Sequence, residues 1–340
     1  NYYKRIRPLD CTTFKTMSNS ADTAISTKIC DDNVDDKFKI PDKLLKSDFA
    51  RELKVAVRLS LTAGENMRDH LESKGTEKGE NAESKLGIQT KQNDADFCTV
   101  VDVMNEELIS KGLLCSFPDH KIIGEESTGT GQVDKLTNHP TWIIDPIDGT
   151  TNFASGLPLT CVSIGMCVDQ IPVLGVVYSP ATAELYLAVK NYGAYRNGQR
   201  LSTVKNKNNN LKSMSNAVVT FEFGYARSSD AIDNMVSAVS RILKHGCRAT
   251  RSLGSGVLDL CYVASGRIDI VYTGVADEGW KPWDYCAATV IVNEAGAIIQ
   301  SLKEYDNTSI SSSFDIYSKS MICGANESMV QQCRKLVLDL

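Results

Sequence analysis

Two aspartates stand three positions apart in the segment 142-WIIDPIDGTTNF-153, directly after a strand-like apolar run. Asp145 ends that run, Pro146 interrupts the hydrogen-bond ladder of a strand, and Asp148 turns back beside the first acid. Carboxylates so close repel each other unless a positive charge lies between them. The two side chains and the Ile147 carbonyl offer only oxygen ligands, a set that suits Mg²⁺. The segment therefore predicts a magnesium site.

The surroundings of this segment disfavour zinc, which prefers histidine and cysteine ligands. The segment contains no cysteine and none of the four histidines, His70, His120, His139 and His245. After Asp148, Gly149 and Thr150 are typical of a turn that opens a helix, whose free N–H groups attract phosphate. Metal-binding acids beside such a turn favour chemistry on a phosphate ester. The alternative for an isolated D-x-x-D-G is an Asx turn with a helix cap.

Three further segments place an acid where an element begins or ends. Glu125 closes a strand-like run in 124-GEES-127, Asp284 opens an apolar helix in KPWD, and Asp102 lies early on a helix in 96-DFCTVVD-102. Each has an ordinary alternative when it is taken alone, namely a solvated turn, an N-cap and a surface acid. Their combination with WIIDPIDGTTNF, in this order, favours one shared site.

Hydrophobic periodicity predicts the elements that must position these acids. Leu53, Val57 and Leu61 recur at four-residue spacing and predict a helix over 48–72. Further helices are predicted at 98–115, 229–245, 255–265, 284–295 and the C-terminus. Strands are predicted at 120–127, 161–168, 172–178, 184–190, 217–223, 267–272 and 320–326. Helices that alternate with mostly antiparallel strands predict an α/β layered sandwich, with alternating helix and sheet layers.

Three polar segments lack the large apolar residues that a core requires. Residues 1–45 are of mixed charge and are predicted to form a mostly disordered N-terminal extension, with one domain over 46–340. Residues 73–93 are predicted to be a polar insertion, either a mobile loop or an exposed hairpin, and one hypothesis makes it a lid over the site. Residues 202–216 are predicted to be a surface loop.

The composition limits the classes of partner. The chain has 340 residues, a formal net charge of −5 and no block of Lys and Arg, so a nucleic-acid or anionic-membrane surface is disfavoured. The apolar runs are too short to span a bilayer. The 11 cysteines are dispersed and several lie in apolar runs, which predicts reduced thiols in a cytosol-like compartment.

Together, these motifs resemble those of the inositol monophosphatase family, within the lithium-sensitive, Mg²⁺-dependent phosphatases. The resemblance covers about residues 48–338 and rests on WIIDPIDGTTNF, GEES and the WD that opens AATVIVNEAGA; NGQRLS and CGAN also fit. It implies an inositol monophosphatase or sugar phosphatase-like fold. It also implies Mg²⁺-dependent hydrolysis of a small polyol phosphate, first of all inositol monophosphate, in a cytoplasmic homodimer that serves phosphatidylinositol signalling.

The resemblance implies two to three Mg²⁺ ions in the site. Glu125, Asp145 and the Ile147 carbonyl would hold the first ion. Asp145, Asp148 and Asp284 would hold the second, and Glu125 would serve a third through water. A cluster of divalent ions both activates water and neutralises the charge on phosphoryl and leaving-group oxygens.

The resemblance also implies catalytic and substrate-binding roles. Thr150 and Asp102, together with Glu125, would orient the attacking water and help to deprotonate it. Lys91 matches a lysine near the third metal. The implied substrate contacts are Glu125, Ile147, Asp148, Gly149, Thr150, Gly254, Ser255, Gly256, Asp277 and Asp284.

The sequence departs from the family pattern around the substrate pocket. Asp277 stands where the family carries a glutamate that contacts inositol, and Tyr225 stands where it carries a serine. A site built to bind hydroxyl groups discriminates strongly when its partners change. The alternative substrates are therefore histidinol phosphate, galactose 1-phosphate and a 3′(2′),5′-bisphosphate nucleotide. The alternative outside enzymes is a regulatory homologue without turnover.

Overall fold

The computed structural model describes residues 38–73, 86–91, 97–203, 213–303 and 314–340. The described residues form eight α-helices: α1 (Ala50–Ser73), α2 (Val100–Ser116), α3 (Glu125–Thr128), α4 (Thr150–Ser155), α5 (Ser229–His245), α6 (Gly256–Ala264), α7 (Pro282–Ala295) and α8 (Glu327–Leu338). Short 3₁₀ turns at Leu44–Lys46 and Met214–Asn216 accompany them. The long helices follow the predicted periodicity.

Seven strands form the larger sheet, in the order in which they occur along the chain. They are β3 (Lys121–Gly124), β4 (Thr141–Asp148), β5 (Cys161–Val168), β6 (Ile171–Ser179), β7 (Glu184–Val189), β8 (Gly193–Arg196) and β9 (Gln199–Arg200). Only β3 and β4 are parallel, because α3 and the segment after it connect them; the other neighbours are antiparallel. A separate pair, β1 (Gln89–Thr90) and β2 (Phe97–Cys98), is antiparallel.

Five strands form the second sheet, in the order β11, β10, β12, β14, β13. They are β10 (Val218–Glu222), β11 (Ala249–Arg251), β12 (Ile270–Thr273), β13 (Ile298–Gln300) and β14 (Met321–Gly324). In β12 the side chains alternate between two cores: Ile270 and Tyr272 pack on one face of the sheet, and Val271 packs on the other.

The helices and sheets stack in alternating layers, as the sequence predicts for an α/β layered sandwich. Helices α1 and α2 cover one face of the seven-stranded sheet, and α6 and α7 lie between the two sheets. Helices α5 and α8 cover the outer face of the five-stranded sheet. Helix α7 is buried on nearly every side because a sheet lies on each side of it.

The prediction of a disordered N-terminal extension is wrong for the last eight residues of that extension. Residues 38–45 were expected to be disordered, but Leu44 is fully buried and Phe38 and Ile40 pack against the same core. The turn at Leu44–Lys46 places these side chains against α1 and the sheet, and their burial outweighs the polar composition around them. Residues 1–37 lie outside the described residues, as do 74–85 and 92–93 of the predicted insertion.

The cysteines bear out most of the expectation of reduced thiols. Eight described cysteines are free, and seven of them are buried, including Cys161 and Cys286. Cys115 contradicts the expectation, because it is disulfide-bonded. None of the described helices is both long and apolar enough to cross a membrane.

Candidate metal centre

Asp145, Asp148 and Asp284 meet at one point of the structure. Each offers one carboxylate oxygen, and the three oxygens lie within 4.8 Å of one another. In a regular strand, residues three apart point to opposite faces. Here the register of β4 against β5 shifts between Asp145 and Asp148, and Pro146 lies inside the shift. The irregular strand end therefore brings both acids to the same side.

Close packing of α7 on the seven-stranded sheet brings Asp284 to this point. Gly165 and Gly175 form a cross-strand pair beneath the helix. A Cβ at Gly165 would lie 2.5 Å from the Cys286 Sγ atom, and one at Gly175 would lie 2.2 Å from the Ala287 carbonyl oxygen. Only glycine permits this approach. At the start of the helix, the Asp284 carboxylate accepts a 2.6 Å hydrogen bond from the Lys281 N–H group.

A second helix fixes Asp148. Its Oδ2 atom accepts hydrogen bonds from the Ser255 hydroxyl, from the Val257 N–H at 3.2 Å and from the Cys161 thiol at 3.6 Å. Ser255 is the N-cap of α6, so Asp148 lies at the positive end of that helix. The donors orient the carboxylate toward the other two acids.

Burial raises the pKa of all three carboxyls. The pKa of Asp148 rises to about 6, and its three donors limit the rise. Burial raises the pKa of Asp145 and of Asp284 well above the usual range, and the charges of their neighbours raise both further. For Asp145 these neighbours include Glu125. The protein alone therefore does not compensate the charge that the three carboxylates would carry if all were ionised.

The donor set fits a divalent cation with a preference for oxygen ligands. The three carboxylates converge, Asp145 and Asp148 are 1% and 6% exposed, and their mutual repulsion calls for a positive charge between them. No histidine or cysteine belongs to the group within the described residues. Carboxylate oxygens suit Mg²⁺ better than Zn²⁺.

Asp102 and Thr150 meet beside this cluster. Thr150 Oγ1 lies 3.2 Å from the Asp102 Oδ1 atom and 3.1 Å from the Ile147 carbonyl oxygen. Asp102 is fully buried, and its other oxygen accepts hydrogen bonds from the Thr99 N–H at 2.8 Å and from the Thr99 hydroxyl. Burial raises the pKa of Asp102 to about 6. Asp102 therefore exchanges its proton closer to neutral pH than an exposed aspartate does.

Glu125 is paired with a lysine. The Lys91 Nζ atom lies 2.9 Å from Glu125 Oε1 and 2.8 Å from Glu126 Oε1. Burial raises the pKa of Glu125 to about 7, and Lys91 opposes that rise. Burial alone would lower the pKa of Lys91, but the two glutamates outweigh it and raise the pKa. Glu125 is outside the group of three converging acids, although its charge reaches Asp145.

The turn after Asp148 approaches the loop before α6 closely. Gly149 has a φ of 81°, and a Cβ there would lie 2.9 Å from the carbonyl oxygens of Gly254 and Leu159. Asn152 Nδ2 donates to the carbonyls of Leu159 at 2.9 Å and Leu253 at 2.7 Å. The predicted phosphate turn and the predicted pocket segment 254–256 are therefore in contact.

The predicted pocket residues divide into two groups. Gly254, Ser255 and Gly256 lie near the acids, and a Cβ at Gly256 would lie 2.7 Å from the Trp280 ring. Asp277 instead has a φ of 61° and a side chain that is 70% exposed, and its carboxylate pairs with Lys303 at 2.7 Å. Tyr225 is 50% exposed. The structure does not show Asp277 directed at the other predicted residues.

Sequence reasoning missed Glu106, which supports the Glu125 segment. Its carboxylate accepts hydrogen bonds from the N–H groups of Glu126 at 2.6 Å and Ser127 at 2.7 Å. A Cβ at Gly124 would lie 2.4 Å from the Glu106 Cδ atom, so glycine makes room for this contact. The available signal was spacing, since Asp102 and Glu106 are four residues apart on α2 and share a face.

Solved structures of known proteins share this architecture. The suhB extragenic suppressor protein of Bartonella henselae superposes with a TM-score of 0.68 at 24% identity, covering 84% of this chain and 98% of that chain. An IMPase of Thermotoga maritima gives a TM-score of 0.67 at 26% identity, covering 85% and 97%. The layered fold is therefore that of the IMPase and suhB proteins.

The sequence comparisons specify the family. A model of the inositol monophosphatase family matches residues 48–338. Inositol monophosphatase 1 of Sus scrofa is 32% identical over 82% of this chain and 91% of its own length, and the inositol monophosphatase of Mesembryanthemum crystallinum is 37% identical over 77% and 89%. The chain belongs to the inositol monophosphatase family and is a phosphatase.

Proposed function

We propose that the protein hydrolyses the phosphomonoester of a small polyol with Mg²⁺, and that inositol monophosphate is its first candidate substrate. The observation that carries the proposal is the convergence of Asp145, Asp148 and Asp284 within 4.8 Å, beside the Gly149 turn. The inositol monophosphatases among its relatives support the choice of substrate. Hydrolysis would yield inositol and phosphate, an inositol phosphate dephosphorylation.

In this proposal the metal ligands are Glu125, Asp145, the Ile147 carbonyl, Asp148 and Asp284. The three converging carboxylates would hold one ion, and Glu125 with the Ile147 carbonyl would serve a second ion shared with Asp145. A third ion would be served by Glu125 near Lys91. When bound, Mg²⁺ would lower the pKa of water and offset charge on the phosphoryl oxygens.

Thr150 and Asp102 would prepare the attacking water. The Thr150 hydroxyl can accept a hydrogen bond from the water while it donates its own proton to Asp102, 3.2 Å away. With a pKa of about 6, Asp102 is mostly ionised at neutral pH and can accept that proton. Glu125 would orient the same water. No phosphoenzyme is required, because the acids of the site are ligands or proton acceptors.

The phosphate would lie against the turn at Gly149 and Thr150. A side chain at Gly149 would collide with the Gly254 carbonyl, so glycine keeps the backbone N–H groups of the turn accessible to the substrate. The polyol would then contact the segment from Gly254 to Gly256, with Trp280 beyond it. Asp277 would contact the substrate only if its ion pair with Lys303 were broken.

A substrate panel with Mg²⁺ tests the proposal. The panel holds inositol 1-phosphate, histidinol phosphate, galactose 1-phosphate and a 3′,5′-bisphosphate nucleotide, and the measurement is phosphate release. We expect the highest kcat/KM for inositol 1-phosphate. A higher value for another member would transfer the proposal to that alternative substrate, and no release from any member with Mg²⁺ would contradict it.

Lithium offers a second test of the site. The resemblance implies inhibition by Li⁺, which would compete for oxygen ligands in the metal centre. Phosphate release from the best substrate should fall as LiCl is added, while an equal concentration of KCl should have little effect. Equal responses to the two salts would contradict this part of the proposal.

We further propose that the protein forms a homodimer. Helix α5 supports this proposal, because Ile232, Val236 and Leu243 are 41%, 54% and 56% exposed and share one face. An apolar stripe of this kind favours association with a second copy of the chain. Sedimentation should give a dimer for the wild type and a monomer for Val236→Asp. A monomeric wild type would contradict the proposal.

A cytosolic location is the remaining part of the proposal. The eight free cysteines of the described residues support it, because thiols persist in a reducing compartment. The disulfide at Cys115 does not support it. Fractionation of cells that make the protein should recover it with cytosolic markers, and recovery from a secretory fraction would contradict this.

A further inference from the structure

Asp259 is a buried acid for which the mechanism above has no use. It lies on α6, one turn after Ser255, and it is completely buried. Among the described residues, no N–H or O–H group donates to either of its carboxylate oxygens. An ionised carboxylate in such a place would lack any compensating contact, which is costly. The position therefore favours a neutral carboxylic acid.

The Asp259 carboxyl faces a second carboxyl, that of Glu222 at the end of β10. The two side chains are within hydrogen-bonding reach of each other. Burial, then the charges of Glu222 and Asp148, raise the pKa of Asp259 well above its usual range. Two carboxyl groups in contact cannot both be ionised, so the pair shares a proton.

The other contacts of Glu222 show which member is ionised. Its Oε1 atom accepts hydrogen bonds from the N–H groups of Leu253 at 2.7 Å and Gly254 at 2.9 Å. Its Oε2 atom accepts one from the Ser252 hydroxyl at 3.2 Å. Three donors stabilise the carboxylate form of Glu222, whereas Asp259 has none. The proton therefore belongs on Asp259.

We propose that Asp259 is a positioning residue: it stays protonated, donates a hydrogen bond to Glu222, and through Glu222 holds the loop 252–255 beside the metal centre. The proposal rests on the proposed function, because this loop contacts both parts of that site. The Gly254 carbonyl lies against Gly149, and the Ser255 hydroxyl donates to Asp148. A looser loop would misplace a metal ligand and the phosphate turn together.

Two substitutions at Asp259 separate hydrogen bonding from packing. In Asp259→Asn the amide still donates to Glu222, so we expect kcat/KM within about threefold of the wild type. In Asp259→Leu a side chain of similar size has no donor, and we expect kcat/KM to fall about tenfold or more, with a higher Mg²⁺ requirement. Circular dichroism checks that both variants fold.

A double-mutant cycle checks that the two acids act through one contact. If they do, Glu222→Gln with Asp259→Leu costs less than the sum of the single effects. Full additivity would overturn the proposal. Equal losses in folded Asp259→Asn and Asp259→Leu, or full activity in Asp259→Leu, would also overturn it.

Infrared spectroscopy tests the protonation of Asp259 without turnover. The difference spectrum of wild type minus Asp259→Asn, both with Mg²⁺ at neutral pH, should show the C=O stretch of a protonated carboxylic acid. A carboxylate band in its place would overturn the proposal. Absence of phosphatase activity in the wild type would instead contradict the proposed function, and the infrared result would still stand.

Discussion

At the scale of single residues, Thr150 has one hydroxyl proton and two acceptors, Asp102 and the Ile147 carbonyl. A hydroxyl donates to only one acceptor at a time, so the Thr150 hydroxyl donates either to Asp102 or to the Ile147 carbonyl. In the proposed mechanism, a lone pair of the hydroxyl would accept a hydrogen bond from the attacking water. Thr150 would then connect that water to a buried acid.

Thr150→Ala should remove this connection and leave the metal carboxylates in place. We expect kcat to fall about 10²-fold or more, which is the usual range for general acid–base assistance, with a small change in KM. Steady-state phosphate release checks the result, and the exposed neighbour substitution Thr151→Ala is the matched control. A rise in KM at unchanged kcat would show that Thr150 only binds substrate.

The carboxylates of the site make the metal-free protein sensitive to pH. The pKa of Asp148 rises from 3.8 to about 6 and that of Glu125 from 4.5 to about 7, in both cases first through burial. The folded state therefore binds protons more tightly than the unfolded state. Through these groups, the free energy of unfolding decreases as pH rises from about 4 to about 7.

Thermal unfolding with EDTA should show this effect. We expect the Tm of the metal-free wild type to fall between pH 5 and pH 7.5, and the increase in Tm on adding Mg²⁺ to grow over the same range, because the metal needs ionised ligands. Asp145→Asn, which keeps an acceptor for the Ile147 N–H, should raise the metal-free Tm at pH 7.5 and abolish the Mg²⁺ effect. A pH-independent Mg²⁺ effect would contradict the assignment of the ligands.

The acids that converge could be predicted from sequence because each marks the end of a recognisable element. Asp145 and Asp148 flank a proline after an apolar run, and Asp284 follows a proline and a tryptophan before an apolar helix. Asp277 could not be placed in this way. It lies in a loop with a left-handed backbone, and the pairing with Lys303, 26 residues away, is set by tertiary contacts.

At the scale of elements, the approach of α7 to the sheet determines the geometry of the cluster. Gly165 and Gly175 leave no side chains beneath the helix, and the Ser163 hydroxyl donates to the Trp283 carbonyl at 3.2 Å. These contacts fix the first turn of α7, which carries Asp284. A larger residue under the helix would move the acid away from its two partners.

Gly165→Ala tests this coupling of helix position to metal binding. Its Cβ would lie 2.5 Å from the Cys286 Sγ atom and 2.8 Å from the Ala287 N atom, so we expect a loss of stability of about 1–3 kcal/mol together with weaker Mg²⁺ activation. Thermal unfolding and Mg²⁺ titration of phosphate release measure the two effects.

Gly112→Ala is the matched control, because the atoms nearest to its Cβ would be those of the Leu59 side chain, on the opposite face of the sheet. It should leave Mg²⁺ activation unchanged. Equal Mg²⁺ activation in Gly165→Ala and the wild type would contradict the role of the glycine pair.

The long elements were predictable, and several short ones were not. The predicted helix 229–245 matches α5, and Gly296 ends α7 with a φ of 84°, as a C′ glycine should. Strands β8, β9, β11 and β13 have two to four residues and were missed. Segments this short have no periodicity to read, and their pairing with neighbouring strands alone makes them strands.

At the scale of the whole molecule, the layered sandwich assembles one site from distant parts of the chain. Asp102 comes from the outer helix layer, Asp145 and Asp148 from the large sheet, and Asp284 from the helix layer between the sheets. Sequence patterns predict the layers, because the apolar positions of the long helices and strands make these elements recognisable. They do not specify the distances between layers, which close packing at positions such as Gly165 determines.

The central claim is that the three converging carboxylates bind the Mg²⁺ on which hydrolysis depends. Phosphate release from inositol 1-phosphate, or from the best substrate of the panel, should be measured against Mg²⁺ concentration for the wild type, Asp284→Asn and the exposed control Asp233→Asn. We predict saturable Mg²⁺ activation of the wild type and of Asp233→Asn, and loss of at least 10²-fold in kcat/KM for Asp284→Asn. Metal-independent hydrolysis by the wild type, or full Mg²⁺-dependent activity in Asp284→Asn, would contradict it.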